Sequence, residues 1–297
     1  MKFLVTGGAG FIGSHLVAHL LPHGSVTILD NLASGNRDNL AGISYHWIEG
    51  SILDSHLLAQ SLVGVTHVFH LAAMVSVPES VAHPAECHQM NVEGTRRVLL
   101  AASQAGAARF VLASSCAIYG NDPVMPKTES LSPAPASPYA ESKLAGEQLC
   151  ADSSLPAVAL RFFNVYGPRQ DPSGPYAAAV PRFLDAARES APLTIHGDGK
   201  QTRDFVYVDD VTAALAHAAF HPELQGVYNV ASGHSTSILE LAQTIQSIAH
   251  SSSPIRHAPA RPADVRFSSA SIERLRATGW HPHFSLSEGL SRLLSTR

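Results

Sequence analysis

Residues 5–15 read V-T-G-G-A-G-F-I-G-S-H. Ahead of this stretch, residues 2–6 form a short apolar run of strand character. Behind it, residues 11–21 carry the apolar spacing of a helix that ends at Pro22 and Gly24. Gly7, Gly10 and Gly13 therefore stand between a strand and a helix in the spacing G-x-x-G-x-x-G. Glycines there permit a tight turn and let the backbone approach a pyrophosphate at a helix N-terminus. Such a turn alone is also what any sharp strand-to-helix connection looks like. Here a second strand follows at residues 25–30, and Asp30 closes it 17 residues after Gly13. A carboxylate at that place accepts both ribose hydroxyls of an adenosine and repels a 2′-phosphate, so NAD is favoured over NADP. Asn31 stands beside it, and Arg37 offers a cation that could in principle meet such a phosphate.

The same rhythm continues. Residues 44–48, 66–70, 109–113 and 157–161 read as further strands, with helices near 54–62, 84–105 and 139–151. Short apolar runs alternating with helical patterns predict an α/β protein, a Rossmann-type doubly wound parallel sheet. Residues 121–138 hold five prolines and read as a long surface loop. After Phe162 the pattern breaks at prolines 168, 172, 175 and 181. Helices follow near 180–190, 208–220, 237–250 and 271–277, with short strands at 227–230 and 255–258. Residues 1–165 are thus expected to form the dinucleotide-binding domain. Residues 166–297 form mainly a smaller α/β substrate lobe, with 192–232 returning in part to the first domain.

Composition excludes several classes. The net charge is −4 and no basic run occurs, so nucleic-acid binding has no electrostatic basis. No apolar run reaches the roughly 18–20 residues a membrane helix needs, and the apolar start is too short for a signal peptide. Cys87, Cys116 and Cys150 form no C-x-x-C pair, which argues against a disulfide framework or thiolate metal site and suits a reducing cytoplasm. There are 17 histidines, and His15, His19 and His23 share helical spacing. Pro22 interrupts them and no carboxylate or thiolate joins them, so they read as packed or solvated side chains and no metal site is expected.

The most specific chemistry is S-P-Y-A-E-S-K at 137–143. Ser137 suits a helix N-cap and Pro138 the first helical position, which puts Tyr139 in the first turn. Lys143 lies four residues on, on the same face. A free phenol has a pKa of about 10 and is a poor base at neutral pH. An ammonium, a helix N-terminus and an oxidised nicotinamide would each favour the phenolate, so a depressed Tyr139 pKa is expected. A packed ring beside a lysine stem gives the same spacing, so the pair needs support. L-A-S-S-C-A-I-Y-G at 112–120 supplies it, because Ser115 just past a strand can bridge to a substrate oxygen.

Taken together, T-G-G-A-G-F-I-G, Ser115 and the Tyr139/Lys143 pair resemble the extended short-chain dehydrogenase/reductase family of sugar-nucleotide enzymes. The resemblance runs through H-L-A-A at 70–73, N-V-E-G-T at 91–95 and R-F-F-N-V-Y-G-P-R at 161–169. It continues in G-D-G-K-Q-T-R-D-F-V-Y-V-D-D-V at 197–211 and R-P-A-D-V-R at 261–266. It implies that Phe11 and Ile12 join the glycines at the cofactor, with Ser51 and Ile52 at its adenine. The family often carries Asp-Ile there, so Ser51 loses a carboxylate. Leu71, Ala72 and Ala73 would line the cofactor channel, with Asn91 and Ser114 near it, and Lys143 would hold the nicotinamide ribose. Phe162 and Asn164 would flank nicotinamide and substrate. Ser76, Ser115, Tyr139, Asn164, Arg203, Arg261, Asp264 and Ser268 would meet the substrate. Among them Asn164, Arg203 and Arg261 meet its diphosphate and Asp264 its uridine ribose. A guanidinium fork matches phosphate oxygens.

Three reactions of this family begin with oxidation at the sugar C4. The resemblance places an Asp-Glu pair after the catalytic Ser/Thr in dehydratases, and often a Glu at the second position in decarboxylases. Cys116 and Ala117 stand there and supply no such acid or base. What remains resembles 4-epimerisation of a UDP-hexose, with NAD regenerated each turn and a homodimer formed through the helices near 84–105 and 139–151. A reductase, dehydratase or decarboxylase of the same fold and a non-catalytic dinucleotide sensor are the alternatives. Ser268 matches a gate beside the sugar C2 substituent, and its small size implies room for an N-acetyl group.

Overall fold

Strands β1 (Lys2–Thr6), β2 (Ser25–Asp30), β3 (His46–Glu49), β4 (His67–His70), β5 (Arg109–Ser115) and β6 (Ala157–Phe162) pair in parallel. With strand Gly226–Val230 they make one seven-stranded sheet in the order Gly226–Val230, β6, β5, β4, β1, β2, β3. The order reverses beside β1, and the crevice at the carboxyl ends of strands flanking such a reversal is where open α/β sheets take ligands. The computed structural model describes residues 1–171, 178–260 and 265–295.

The chain divides into two compact units. The first takes residues 1–120, 132–162 and 211–228; the second takes 121–131, 163–210 and 229–297. In the first unit Phe3, Leu4 and Val5 are fully enclosed, because helices cover both faces of a parallel sheet. That is why β1 reads as a continuous apolar run rather than an alternating one. Leu4, Leu29, Leu58, Val68, Val98 and Phe110 pack as one core on one side of it. Each such side chain contributes about 1.5–3 kcal/mol when fully buried.

The helices of this unit are α1 (Phe11–Leu20), α2 (Ser55–Ser61), α3 (Val77–Ala82), α4 (Pro84–His88), α5 (Gly94–Gln104) and α6 (Pro138–Ala151). The single helix expected at 84–105 is divided: a π turn at Gln89–Glu93 separates α4 from α5. Such turns insert one extra residue and re-aim side chains, frequently at functional sites. Six-residue α3 is too short to show a period, and the sequence did not disclose it. Helix Val208–Phe220 is tied to β5 by Arg109, whose buried guanidinium donates to the carbonyls of Ala218 (2.7 Å) and Leu224 (2.7 Å) at its C-terminal end.

The second unit has no large sheet among its described residues. Asn164–Tyr166 pairs in parallel with Phe205–Tyr207, and Leu193–His196 with Ile255–Ala258; Thr202–Arg203 meets Thr236–Ser237 antiparallel. Helices Ala179–Arg188, Ile238–Ile248 and Leu286–Ser295 close over Phe183, Leu184, Leu193, Ile195, Leu241, Ile245 and Leu290.

Candidate active site

β1 runs into Gly7, whose φ of +74° lies in the left-handed region that favours glycine. A Cβ at Gly7 would stand 2.7 Å from the Ala72 amide nitrogen, and one at Gly13 would stand 2.1 Å from the Gly7 carbonyl oxygen. Both glycines are therefore required by space. α1 then begins at Gly10, an extended residue with no side-chain cap. The first amides of a helix point outward with partial positive charge, so the start of α1, with Phe11, Ile12 and Gly13, is a ready anion site. Asp30, buried at the end of β2, accepts the Ala9 amide at 2.9 Å with Oδ2 and the Leu32 amide at 2.8 Å with Oδ1. Each oxygen keeps acceptor capacity beyond that one bond.

Arg37, the cation that could have met a 2′-phosphate, sits over the Trp47 ring at 4.7 Å. The Asn31 side chain accepts the Ala33 amide at 3.2 Å. Ser51 accepts the Leu53 amide at 3.2 Å through its hydroxyl, and Ile52 is buried in the core.

Leu71, Ala72 and Ala73 follow β4. The Leu71 amide donates to the Thr6 carbonyl (3.1 Å), and the Ala72 amide to the Thr6 hydroxyl (3.3 Å). The Asn91 amide is spent within the protein. Its Oδ1 accepts the Met74 amide (2.7 Å), and its Nδ2 donates to the Met74 carbonyl (2.9 Å) and the Ser142 hydroxyl (2.9 Å). Asn91 thus acts on this wall by holding Met74. Ser76 caps α3, accepting the Glu79 amide at 3.2 Å.

α6 starts as its sequence dictates. Ser137 caps it by accepting the Ala140 amide (3.2 Å), Pro138 is the first helical residue, and the Tyr139 amide donates to the Ser80 hydroxyl at 3.1 Å. The Tyr139 hydroxyl is hydrogen-bonded to Ser115, whose oxygen also accepts the Ala117 amide at 3.1 Å. Lys143 is buried, donates to the Ala113 carbonyl at 2.9 Å and places its Nζ 5.7 Å from the centre of the Tyr139 ring. These three side chains are brought together.

The titration of Tyr139 corrects the sequence expectation. Within the protein it is pushed up to about 12, not down, because burial desolvates the phenolate; the Ser115 hydrogen bond opposes this only in part. Lys143 is lowered to about 8 by its own burial, against the pull of Cys87 and Glu147. Ser114 serves behind the site. Its hydroxyl donates to Glu147 at 2.5 Å, and Glu147 takes Nε and Nη2 of Arg161 at 2.9 and 2.7 Å. Arg161 also donates to the Tyr119 hydroxyl at 2.8 Å. This buried network bolts β5, β6 and α6 together. Phe162 ends β6, buried.

His70, Ser80, Glu147 and Arg161 were missed as parts of this site. Two of them left a signal: Arg161 is a charge within an otherwise apolar strand, and His70 directly follows the apolar pair Val68–Phe69, where burial demands a partner.

In the second unit Asn164 and Arg203 line one cavity of about 270 Å³, together with Arg182, His196 and Gln201. The Asn164 amide donates to the Asp204 carbonyl at 3.2 Å. Arg203 donates to the carbonyls of Thr202 (2.7 Å) and Val265 (2.6 Å). Ser268 is half-buried. The Ser269 carbonyl beside it accepts the Lys127 amide at 2.8 Å, and the Ala270 amide donates to the Asp204 carboxylate at 3.3 Å. Asp204 also accepts the amide and hydroxyl of Ser232, at 2.8 and 2.7 Å; its complete burial still holds its carboxyl above the usual range. Arg261 and Asp264 lie outside the described residues.

The family model described as NAD dependent epimerase/dehydratase matches residues 3–231. The chain belongs to that family. It is similar to UDP-glucose 4-epimerase of Mycolicibacterium smegmatis, 39% identical over 98% of this chain and 97% of the relative. It is as similar, 39% over 87% of this chain and 83% of the relative, to UDP-N-acetyl-alpha-D-glucosaminuronate decarboxylase of Bacillus cytotoxicus. Among solved structures, UDP-N-acetylglucosamine 4-epimerase from Methanobrevibacter ruminantium M1 in complex with UDP-N-acetylmuramic acid superposes with a TM-score of 0.94. Its identity is 37%, covering 99% of this chain and 97% of that one.

NAD is the cofactor of this epimerase/dehydratase, and its residues fit the group. The cradle at Gly7 and Gly13 is one that a Cβ would fill, and the start of α1 is left without a cap. Asp30 presents an acidic end to the second strand, and Arg37 is engaged on Trp47. Among the described residues no helix is long and apolar enough to cross a membrane.

Proposed function

We propose that the chain catalyses NAD-dependent 4-epimerisation of a UDP-hexose: UDP-glucose and UDP-galactose, and also their N-acetylated counterparts. The observation that carries the reading is the pair of hydroxyls at Tyr139 and Ser115, followed by Cys116 and Ala117 where elimination or decarboxylation would call for an acid or base. When bound, NAD would supply the acceptor for the C4 hydride and the donor that returns it to the other face, and in its oxidised form a positive charge. Tyr139 takes the O4 proton and later returns it, with Ser115 orienting or relaying it. Lys143, lowered to about 8, stays mainly protonated at neutral pH. It spends one proton on Ala113 and keeps two for ribose hydroxyls. The cavity holding Asn164 and Arg203 takes the nucleotide diphosphate, with Arg261 and Asp264 as further contacts.

Ser268 leaves room for an N-acetyl group. Proton NMR of UDP-glucose and UDP-N-acetylglucosamine incubated with the enzyme, without added NAD, should show the galacto epimer of each. A 4-keto-6-deoxy product would replace epimerisation by the dehydratase reading, and a pentose formed when a UDP-hexuronate is supplied instead would replace it by the decarboxylase reading. Ser268→Tyr should lower the N-acetyl-to-plain activity ratio at least tenfold; an unchanged ratio removes the gate.

The enzyme works as a homodimer in the cytoplasm on this reading. The dimer would form through the helices α4, α5 and α6, and the three free cysteines suit a reducing compartment. Sedimentation at micromolar protein gives the oligomeric state directly.

A further inference from the structure

His70 ends β4 in complete burial, one residue ahead of the Leu71–Ala73 wall. Its Nδ1 lies 2.7 Å from the Thr6 hydroxyl and its Nε2 lies 3.0 Å from the Thr95 hydroxyl. The proton positions follow from the neighbours. Thr95 donates its single hydroxyl proton to the Asn91 carbonyl at 2.5 Å, so it can only accept from Nε2–H. Nδ1 is then the bare nitrogen, and it accepts the hydroxyl proton of Thr6. Thr6 in turn accepts the Ala72 amide at 3.3 Å.

The result is a one-way chain of donors: Ala72 amide, Thr6 hydroxyl, imidazole, Thr95 hydroxyl, Asn91 carbonyl. Asn91 closes the loop by gripping Met74 on both its amide and its carbonyl. The strand before the glycine turn, the wall after β4 and the π turn are thereby one hydrogen-bonded body. An imidazole suits the post because it alone presents an acceptor and a donor on opposite sides of a rigid ring.

We infer that His70, as the Nε2–H tautomer, is a positioning residue: it fixes Leu71–Met74 against the glycine turn and so sets how long the enzyme retains NAD. This rests on the assignment of NAD as cofactor. His70 acts through Thr6 and Thr95, the two hydroxyls its ring nitrogens engage.

Thr95→Val is the decisive variant. It deletes the acceptor for Nε2–H but leaves the imidazole in place, and Thr95→Ser restores the acceptor. Two readouts are needed on the NAD-loaded protein. Long-range proton–nitrogen NMR should show one histidine of the wild type fixed as Nε2–H between pH 5.5 and 8, and that signal should shift in Thr95→Val but not in Thr95→Ser. NAD release after dilution should be about tenfold faster in Thr95→Val and within twofold of wild type in Thr95→Ser. A purely structural hydrogen bond would lower the melting temperature and leave release unchanged. Release within twofold in Thr95→Val with its tautomer signal moved, or a wild-type His70 found as Nδ1–H or doubly protonated, overturns the inference. The wild-type measurement stands even where the valine variant fails to fold. Failure of the cofactor assignment itself is separate: it appears as a wild type that retains no NAD.

Discussion

Helix α1 and helix Ile238–Ile248 are similar in length, ten and eleven residues, and begin in opposite ways. The helix of the second unit opens with a full capping box: Ser237 accepts the Glu240 amide at 3.1 Å, and Glu240 accepts the Ser237 amide at 2.8 Å. α1 opens at Gly10 with no cap. Two orphan donors are satisfied in one helix by its own capping box, and in the other no side chain caps them. α6 sharpens the contrast. It lies in the same unit as α1 yet is capped by Ser137, because its start carries Tyr139 rather than an anion.

The largest expected effect tests the closed start of α6. Tyr139→Phe should lower turnover by about 10³-fold, the scale of a lost general base. NAD release should stay within twofold of wild type, since only a hydroxyl is removed. Turnover that survives would break the division of labour between α6 and α1. Gly13→Ala comes next, at the open start. A methyl placed 2.1 Å from the Gly7 carbonyl forces the turn apart, so the fold should lose about 1–3 kcal/mol on denaturant titration. NAD release should quicken at least tenfold in the same variant.

A third effect concerns pH. Burial, aided by Lys143, lowers His70 from its ordinary 6.5 to about 3. Between those values the unfolded chain binds the extra proton and the folded chain does not. The stability at stake is fully present above about pH 6.5 and is lost as pH falls toward 3. Urea titrations at pH 7 and pH 5 should differ by about 2 kcal/mol from this one group. Equal stabilities would mean that the imidazole is not held as deeply as the first unit's geometry implies. The smallest effect is at the capping box: Ser237→Ala should cost about 1 kcal/mol. NAD release should not change, because that start closes its own amides and lies in the second unit, apart in sequence from the glycine turn.

Much of the site was legible in the chain. The glycine turn, Asp30 and the Ser137–Pro138–Tyr139–Lys143 series are relations between near neighbours, and strand, turn and helix periods fix them without reference to the rest of the fold. The fold class follows from the same alternation. Less legible were α3, too short to show a period, and the π turn that divides the helix expected at 84–105. An inserted residue leaves apolar spacing nearly intact while turning Asn91 toward Met74 and Ser142. In the second unit the short paired strands lack a long period altogether, so its cavity appears only once they are folded together.

What the sequence determined by itself was which chemistry is present and in what order, because those are properties of residue type and local spacing. What only the tertiary structure decided was the state of each group. Burial raises Tyr139 to about 12 and lowers Lys143 to about 8, against the expectation of a depressed phenol. Partners from other elements occupy Asn91 and Ser114 and set the tautomer of His70. The physical reason is the same throughout. Desolvation and the choice of hydrogen-bond partner depend on what packs around a group, and packing joins residues that the chain keeps far apart.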